Sequence, residues 1–375
     1  MRIGIACSGL DHVRRGFETF AEDLFRHLVA RPALEALLFK GNGRSSQGER
    51  VLWSISRDSS LWGGWTSPIP WEKRYFAEQA TFALSLRRRL RKDPVDVLIF
   101  SDIQVGNVLR RLSGPSRVPV LLFSNGGPFP PRDYSRFDFI HQLTPGKYAE
   151  GLGHGLSRER MFLAPYGVDT DLFFPEAASG QAFRRSVGIG MDEQVILSVG
   201  ALETPHKRMD WVIREVSRMQ TKPHLILCGE HKAVETQVIR ELGASRLGSR
   251  FHALRLPYSE MPALYNSADL FVLCSLREGF GRAFLEALAC GVPVLHHADE
   301  DMDWIVGRGG LETDMTSPGA LATTLTSTLE DENLRARMSR EALSRALNVF
   351  SWTRLLPEYV EMFDRAFRRD GSVGA

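Results

Sequence analysis

The stretch E-G-F-G-R-A-F-L-E-A-L-A-C-G at residues 278–291 leaves the chain few ways to fold around it. It follows an apolar run at 269–274, which has the composition of a buried strand. The Gly-Phe-Gly cannot easily continue that strand. Residues 282–290 then carry Ala, Leu and Phe at helical spacing, with no breaker before Gly291, a candidate C′ residue. The order is strand, glycine turn, helix. Such a turn aims backbone N–H groups out of a helix N-terminus, where the dipole is positive and an anion, most commonly phosphate, is favoured.

Two carboxylates frame the turn, Glu278 before it and Glu286 inside the helix. Glu278 can reach across the turn, and Glu286 can accept hydrogen bonds from hydroxyls lying along the helix start. An anion cradle between two carboxylates suits a ligand with both a phosphate and a polyol. A tight turn with a solvated Glu278 and a Glu286 serving the helix dipole would produce the same letters.

The segment E-G-F-G-R-A-F-L-E-A-L-A-C-G-V-P-V resembles the signature of the retaining GT-B glycosyltransferases of family four: E-G-x-G followed by E-A-x-A-x-G-x-P-V. Both glutamates, both glycines, Gly291 and Pro293 are in register. The resemblance extends over nearly the whole chain and is strongest at 190–350.

A chain of 375 residues accommodates two domains of ordinary size. Its net charge of +2 implies no bulk attraction to polyanions, so no nucleic-acid partner is expected. The four cysteines, Cys7, Cys228, Cys274 and Cys290, form no C-x-x-C pair, which suggests neither a zinc site nor a disulfide framework. They have the setting of small buried hydrophobes in a reducing compartment. No apolar run reaches the length of a membrane span, and residues 1–7 suit a first strand better than a signal peptide. The expected location is the cytoplasm, with peripheral contact at the inner face of a membrane left open.

In the first half, a strand at 2–8 leads through a loop to a helix opening at Gly16, another strand-glycine-helix step. The resemblance puts a Gly-Gly-x-Glu-like turn there, against the donor phosphate; this chain has Arg15-Gly16-Phe17-Glu18, with arginine for one glycine. Residues 59–71 form a long loop with Trp62, Trp65 and Trp71, suited either to stacking on a sugar or to packing beneath the loop. A helix over 72–91 ends in a strongly basic run at 87–92. That run favours a helix C-terminus and would also attract anionic lipid headgroups. The strand at 118–123 ends in Ser124-Asn125, where the resemblance places a histidine near the reacting sugar. His141, at another strand end, is the alternative there, although such histidines also bond locally. Together with Ser124 it is a candidate on the acceptor side.

The second half alternates strands and helices, implying a parallel sheet covered on both faces. After its first strand, Gly200-Ala201 departs from the family's Gly-Arg. Lys207 matches the lysine aimed at the donor diphosphate. Arg208, Arg282 or Arg15 could replace the missing cation.

The resemblance implies two Rossmann-like doubly wound domains facing across a cleft: 1–170 for the acceptor, 171–190 as linker, 191–350 for the nucleotide sugar, and a 351–375 helix returning to the first domain. It implies transfer from a nucleotide-diphosphate sugar to an acceptor hydroxyl with retention of configuration. The acceptor is a glycan, a lipid-linked molecule or a small molecule. No metal or other cofactor is implied. In this reading Glu278, Lys207 and Asn125 carry the chemistry. Lys207 and the amides of Gly16, Phe280 and Gly281 hold the departing diphosphate, with Arg15, Arg208 and Arg282 as further cations. Glu278 and the Gly279 amide orient sugar hydroxyls, and Glu286 holds the ribose. The two departures, Ala201 and Asn125, leave a second reading open: a nucleotide-sugar-binding protein of the same fold without transfer activity.

Overall fold

A computed structural model describes residues 1–13, 16–32, 34–62, 69–112, 119–127, 129–229 and 233–370. The chain divides into two compact units, Met1–Tyr166 with Leu355–Ala375, and Gly167–Arg354.

In the first unit the order is β1 Arg2–Cys7, α1 Gly16–Val29, β2 Glu35–Lys40, β3 Glu49–Val51, α2 Trp71–Leu90, β4 Val97–Phe100 and α3 Ile103–Arg111. It continues with β5 Val120–Ser124, α4 Pro131–Tyr134, β6 Phe139–Gln142, α5 Pro145–Gly153 and β7 Met161–Leu163. The seven strands are ordered β3-β2-β1-β4-β5-β6-β7, and every described pairing is parallel. Strands covered on both faces must be apolar throughout. That explains the runs I-G-I-A-C and V-L-I-F, whose bulky side chains are fully buried.

The second unit contains α6 Ala177–Ser186, β8 Val195–Val199, α7 Met209–Val216, β9 His224–Cys228, α8 Ala233–Leu247, β10 Phe251–Leu254 and α9 Met261–Asn266. Then come β11 Leu270–Leu273, α10 Arg282–Ala289, β12 Val294–His297, α11 Glu300–Val306, β13 Gly310–Thr313, α12 Ala320–Glu330 and α13 Glu332–Arg345. Its parallel sheet is ordered β10-β9-β8-β11-β12-β13. The 171–190 stretch is not a free connector: α6 packs on α9, with Gly180 so close to Asn266 that an added Cβ would lie 2.1 Å from its carbonyl oxygen.

The last helix, α14 Trp352–Asp370, returns to the first unit from Leu355 onward. There Tyr359 donates to the carbonyl of Pro165 at 2.9 Å. Among the described residues no helix is long and apolar enough to cross a membrane.

Both sheets reverse direction of strand order, at β1/β4 and at β8/β11. In open parallel sheets, ligands bind beyond the strand carboxyl ends at such switch points.

Candidate functional site

At the β8/β11 switch point of the second unit, β8 runs into Gly200–Lys207 and β11 into Cys274–Gly281. Gly229, at the end of β9, packs on this bend so tightly that a Cβ there would lie 1.9 Å from the Gly200 carbonyl oxygen. Lys207 crosses from one loop to the other: its Nζ lies 2.6 Å from Glu278 Oε1, with side-chain exposures of 19% and 6%. Gly281 caps α10 in the left-handed region at φ 70°, as the glycine turn requires, and a Cβ there would meet the Phe284 ring at 2.6 Å. Gly291 ends the helix with the left-handed φ expected of a C′ glycine. The strand, turn and helix read from 269–291 are all present.

Glu286 projects from the first turns of α10 and is 7% exposed. Tyr265 donates to its Oε2 at 2.8 Å and Tyr258 to its Oε1 at 3.3 Å. Burial, together with the neighbouring Glu286 carboxylate, pushes the Tyr265 phenol well above its ordinary range, so Tyr265 stays a donor. The pairing of the two tyrosines with Glu286, across 21 and 28 residues of sequence, comes only from the fold. Phe280 between the glycines is 4% exposed and meets Phe350 edge-on at 6.3 Å, which fixes the turn from beneath. Gly279 beside it is half-buried.

Two of the expected cations are engaged elsewhere. Arg208 adopts a left-handed φ of 50° before α7, donates to the Met315 carbonyl at 2.8 Å, and lies over Trp211 at 4.6 Å. Arg282, 8% exposed, donates to the Gly167 carbonyl at 3.1 Å. Arg15 lies outside the described residues. Gly16 opens α1 and is exposed.

The strand-end candidates of the first unit are structural in this geometry. His141 has no exposed surface; its Nδ1 is 3.1 Å from Ser124 Oγ and its Nε2 2.6 Å from the Ala164 carbonyl. Burial lowers its pKa to about 4, so it is neutral. Ser124 is equally buried and also pairs with Tyr166 at 3.2 Å. Asn125, expected in the catalytic position, is buried with its amide nitrogen on Gln142 at 2.9 Å. A letter at a strand end does not reveal that Tyr166 and Tyr359 will seal it. All three side chains are buried at these strand ends.

A network that sequence reasoning missed lies at the β1/β4 switch point of the first unit. Ser8 Oγ donates to Asp102 at 2.6 Å, and Tyr75 donates to the other Asp102 oxygen at 2.8 Å. Arg57, 2% exposed, pairs with the fully buried Glu78 and lies over the Tyr75 ring at 4.0 Å. His12 Nε2 is 3.2 Å from Glu78. Its hydrogen-bonded pairs are 21 to 94 residues apart in sequence, and no local spacing announces them.

Residues 180–345 match the family described as glycosyl transferases group 1. That match covers less than half of the chain. Curated relatives show the same likeness. A mannosylfructose-phosphate synthase of Agrobacterium fabrum is 29% identical over 56% of this chain and 49% of its own length. A GDP-mannose-dependent alpha-(1-6)-phosphatidylinositol monomannoside mannosyltransferase of Mycolicibacterium smegmatis is 31% identical over 57% of this chain and 58% of its own. The chain thus spans about half the length of the curated relatives it matches. Solved structures extend the likeness of fold to the whole chain. Sucrose-phosphate synthase from Thermosynechococcus elongatus superposes with a TM-score of 0.81 at 19% identity, covering 98% of this chain and 99% of that one. Anabaena HepE in complex with UDP and glucose gives 0.75 at 18%, covering 97% and 99%. The fold is GT-B, and the group 1 segment contains Lys207, Glu278 and Glu286 alike.

Proposed function

We propose that this chain is a retaining glycosyltransferase that moves a sugar from a nucleotide-diphosphate donor to an acceptor hydroxyl. The observation that carries this reading is the Lys207–Glu278 pair at the second unit's switch point, beside the glycine turn that opens α10. Lys207 takes the diphosphate, with the amides of Phe280 and Gly281. Charge accumulates on the diphosphate as the glycosidic bond breaks, and donors already aimed at it lower the barrier. Once Lys207 engages phosphate, Glu278 and the Gly279 amide are free to hold sugar hydroxyls. Glu286, oriented by Tyr258 and Tyr265, accepts from the ribose. The acceptor oxygen attacks from the face the diphosphate leaves, so configuration is retained.

Positive charge comes here from one ammonium group and backbone amides, without a divalent cation. With Ala201 in place of arginine, and with Arg208 and Arg282 engaged on carbonyls, leaving-group stabilisation rests on few groups. The relative acting on a phosphatidylinositol monomannoside makes lipid-linked molecules a reasonable acceptor class beside glycans and small sugars. Work at the cytoplasmic side of a membrane follows if so.

Donor hydrolysis without acceptor tests the reading. Incubation with UDP- and GDP-sugars should release free sugar slowly from one of them, and Lys207→Ala should abolish that release. Nucleotide-dependent stabilisation without any sugar release would favour a binding protein of the same fold.

A further inference from the structure

We propose that the outward stripe of α2, with Trp53 beside it, docks the protein on an anionic lipid bilayer. This extends the reading in which acceptors include lipid-linked molecules.

α2 is apolar on two sides. Phe82, Ala83 and Leu86 are buried in the core of the first unit, as an amphipathic helix requires. Yet Leu84 is 43% exposed on the opposite side, and Phe76, at the flank between, is 49% exposed. Lys73, Phe76, Ala80, Leu84, Arg88 and Arg91 follow at intervals of three and four residues, so they share one face. The preceding segment widens it. Ser85 donates to the Trp53 carbonyl at 2.7 Å and Ile55 donates to Thr81 at 3.0 Å, which lays residues 53–55 along the helix. Trp53, held there, is 67% exposed, and Leu61, in the turn tied back to Ser56 through Trp62, is 79% exposed. Large apolar side chains exposed on and beside one helix are the material of an interaction site.

Charge decides the partner. Arg89 is spent on Asp93 at 2.6 Å. Arg88, Arg91 and Lys92 are exposed, and among the described residues they have no acidic partner. Aromatic and aliphatic groups flanked by unneutralised cations on a helix lying parallel to the surface match a headgroup region carrying negative charge.

Vesicle flotation of the full chain tests this, with no donor or acceptor present, so it can fail without touching the transferase reading, and the reverse. Phosphatidylcholine vesicles containing phosphatidylglycerol should carry the protein up the gradient at low salt; phosphatidylcholine alone should not. Arg88→Glu with Arg91→Glu, and separately Trp53→Ser with Phe76→Ser, should each lower the bound fraction by about tenfold or more. Melting temperature and nucleotide response should stay unchanged, because these side chains are exposed and outside the donor site. No flotation by wild type, equal binding to neutral vesicles, or unchanged flotation of either variant overturns the proposal. So does a wild-type dimer, seen by light scattering, that dissociates in Trp53→Ser/Phe76→Ser, since the face would then belong to a second copy.

Discussion

Lys207 Nζ and Glu278 Oε1 stand 2.6 Å apart across the β8/β11 switch point, so the ammonium group assigned to the diphosphate already has a counter-ion. Phosphate must displace a carboxylate to reach it. Glu278→Gln removes that competitor while leaving the shape of the turn. Nucleoside diphosphates should therefore bind severalfold tighter to the variant, on the order of 1 kcal/mol, the upper end for a solvent-accessible pair, while sugar transfer falls. Calorimetric titration beside an initial-rate assay separates the two effects; weaker diphosphate binding would mean Glu278 supports Lys207 rather than competing with it.

Glu286 is held by two phenols, and in the proposed donor complex it accepts from the ribose. Replacing it with Ala removes a charged acceptor from a buried position, a loss of about 1.5–3 kcal/mol where a ribose hydroxyl was bound. Donor KM should rise by about tenfold or more. A 2′,3′-dideoxy nucleotide should lose less than the ribonucleotide on the same substitution, and equal losses would remove Glu286 from the ribose.

Gly281 sits at φ 70° with the Phe284 ring where its Cβ would go. Gly281→Ala adds backbone strain of about 1–3 kcal/mol and tilts the amides of the turn. Denaturant unfolding should report a destabilised second unit. Nucleotide binding should weaken further than in Gly319→Ala, where the glycine φ is also positive but the space is open. Comparable affinity in the two variants would separate the turn from the ligand.

His141 provides a pH signature. Burial depresses its folded pKa from 6.5 to about 4, so between those values the unfolded chain binds a proton that the native protein refuses. Stability is then full above pH 6.5 and falls by up to about 3 kcal/mol as pH drops toward 4. Glu78 adds a lower window. Its folded pKa is brought down to about 2 by His12 and Arg57 despite its burial, so its contribution is present above about 4.5 and is lost as pH falls through 2. Unfolding free energies across pH 4 to 7 should slope in wild type and flatten in His141→Asn; parallel slopes would contradict the burial account.

How much could be read in advance differs between the units for a physical reason. At 269–291 the architecture is local: an apolar strand, glycines that permit the turn, and a helix. One contiguous stretch encodes those three elements, while Lys207, Tyr258 and Tyr265 reach them from elsewhere. The first unit's polar network instead joins Ser8, Arg57, Tyr75, Glu78 and Asp102 from separate loops and helices, and only the completed sheet brings them together. His141 shows the converse error. Its strand-end position suggested a ligand, but α14, arriving from the far end of the chain, lays Tyr359 3.4 Å from its ring. Likewise Arg208 follows Lys207 directly, yet its left-handed backbone sends its guanidinium to Met315. Neighbours in sequence thus turn to different partners, Lys207 to Glu278 and Arg208 to Met315.

The central claim is that Lys207 grips the donor's diphosphate. Calorimetric titration of wild type and Lys207→Ala with a nucleoside diphosphate and its parent nucleoside tests it directly. The account predicts that the substitution weakens the diphosphate by about a hundredfold, as loss of a preorganised charged contact does, and leaves nucleoside binding nearly untouched. Equal diphosphate affinity in the two proteins would contradict it.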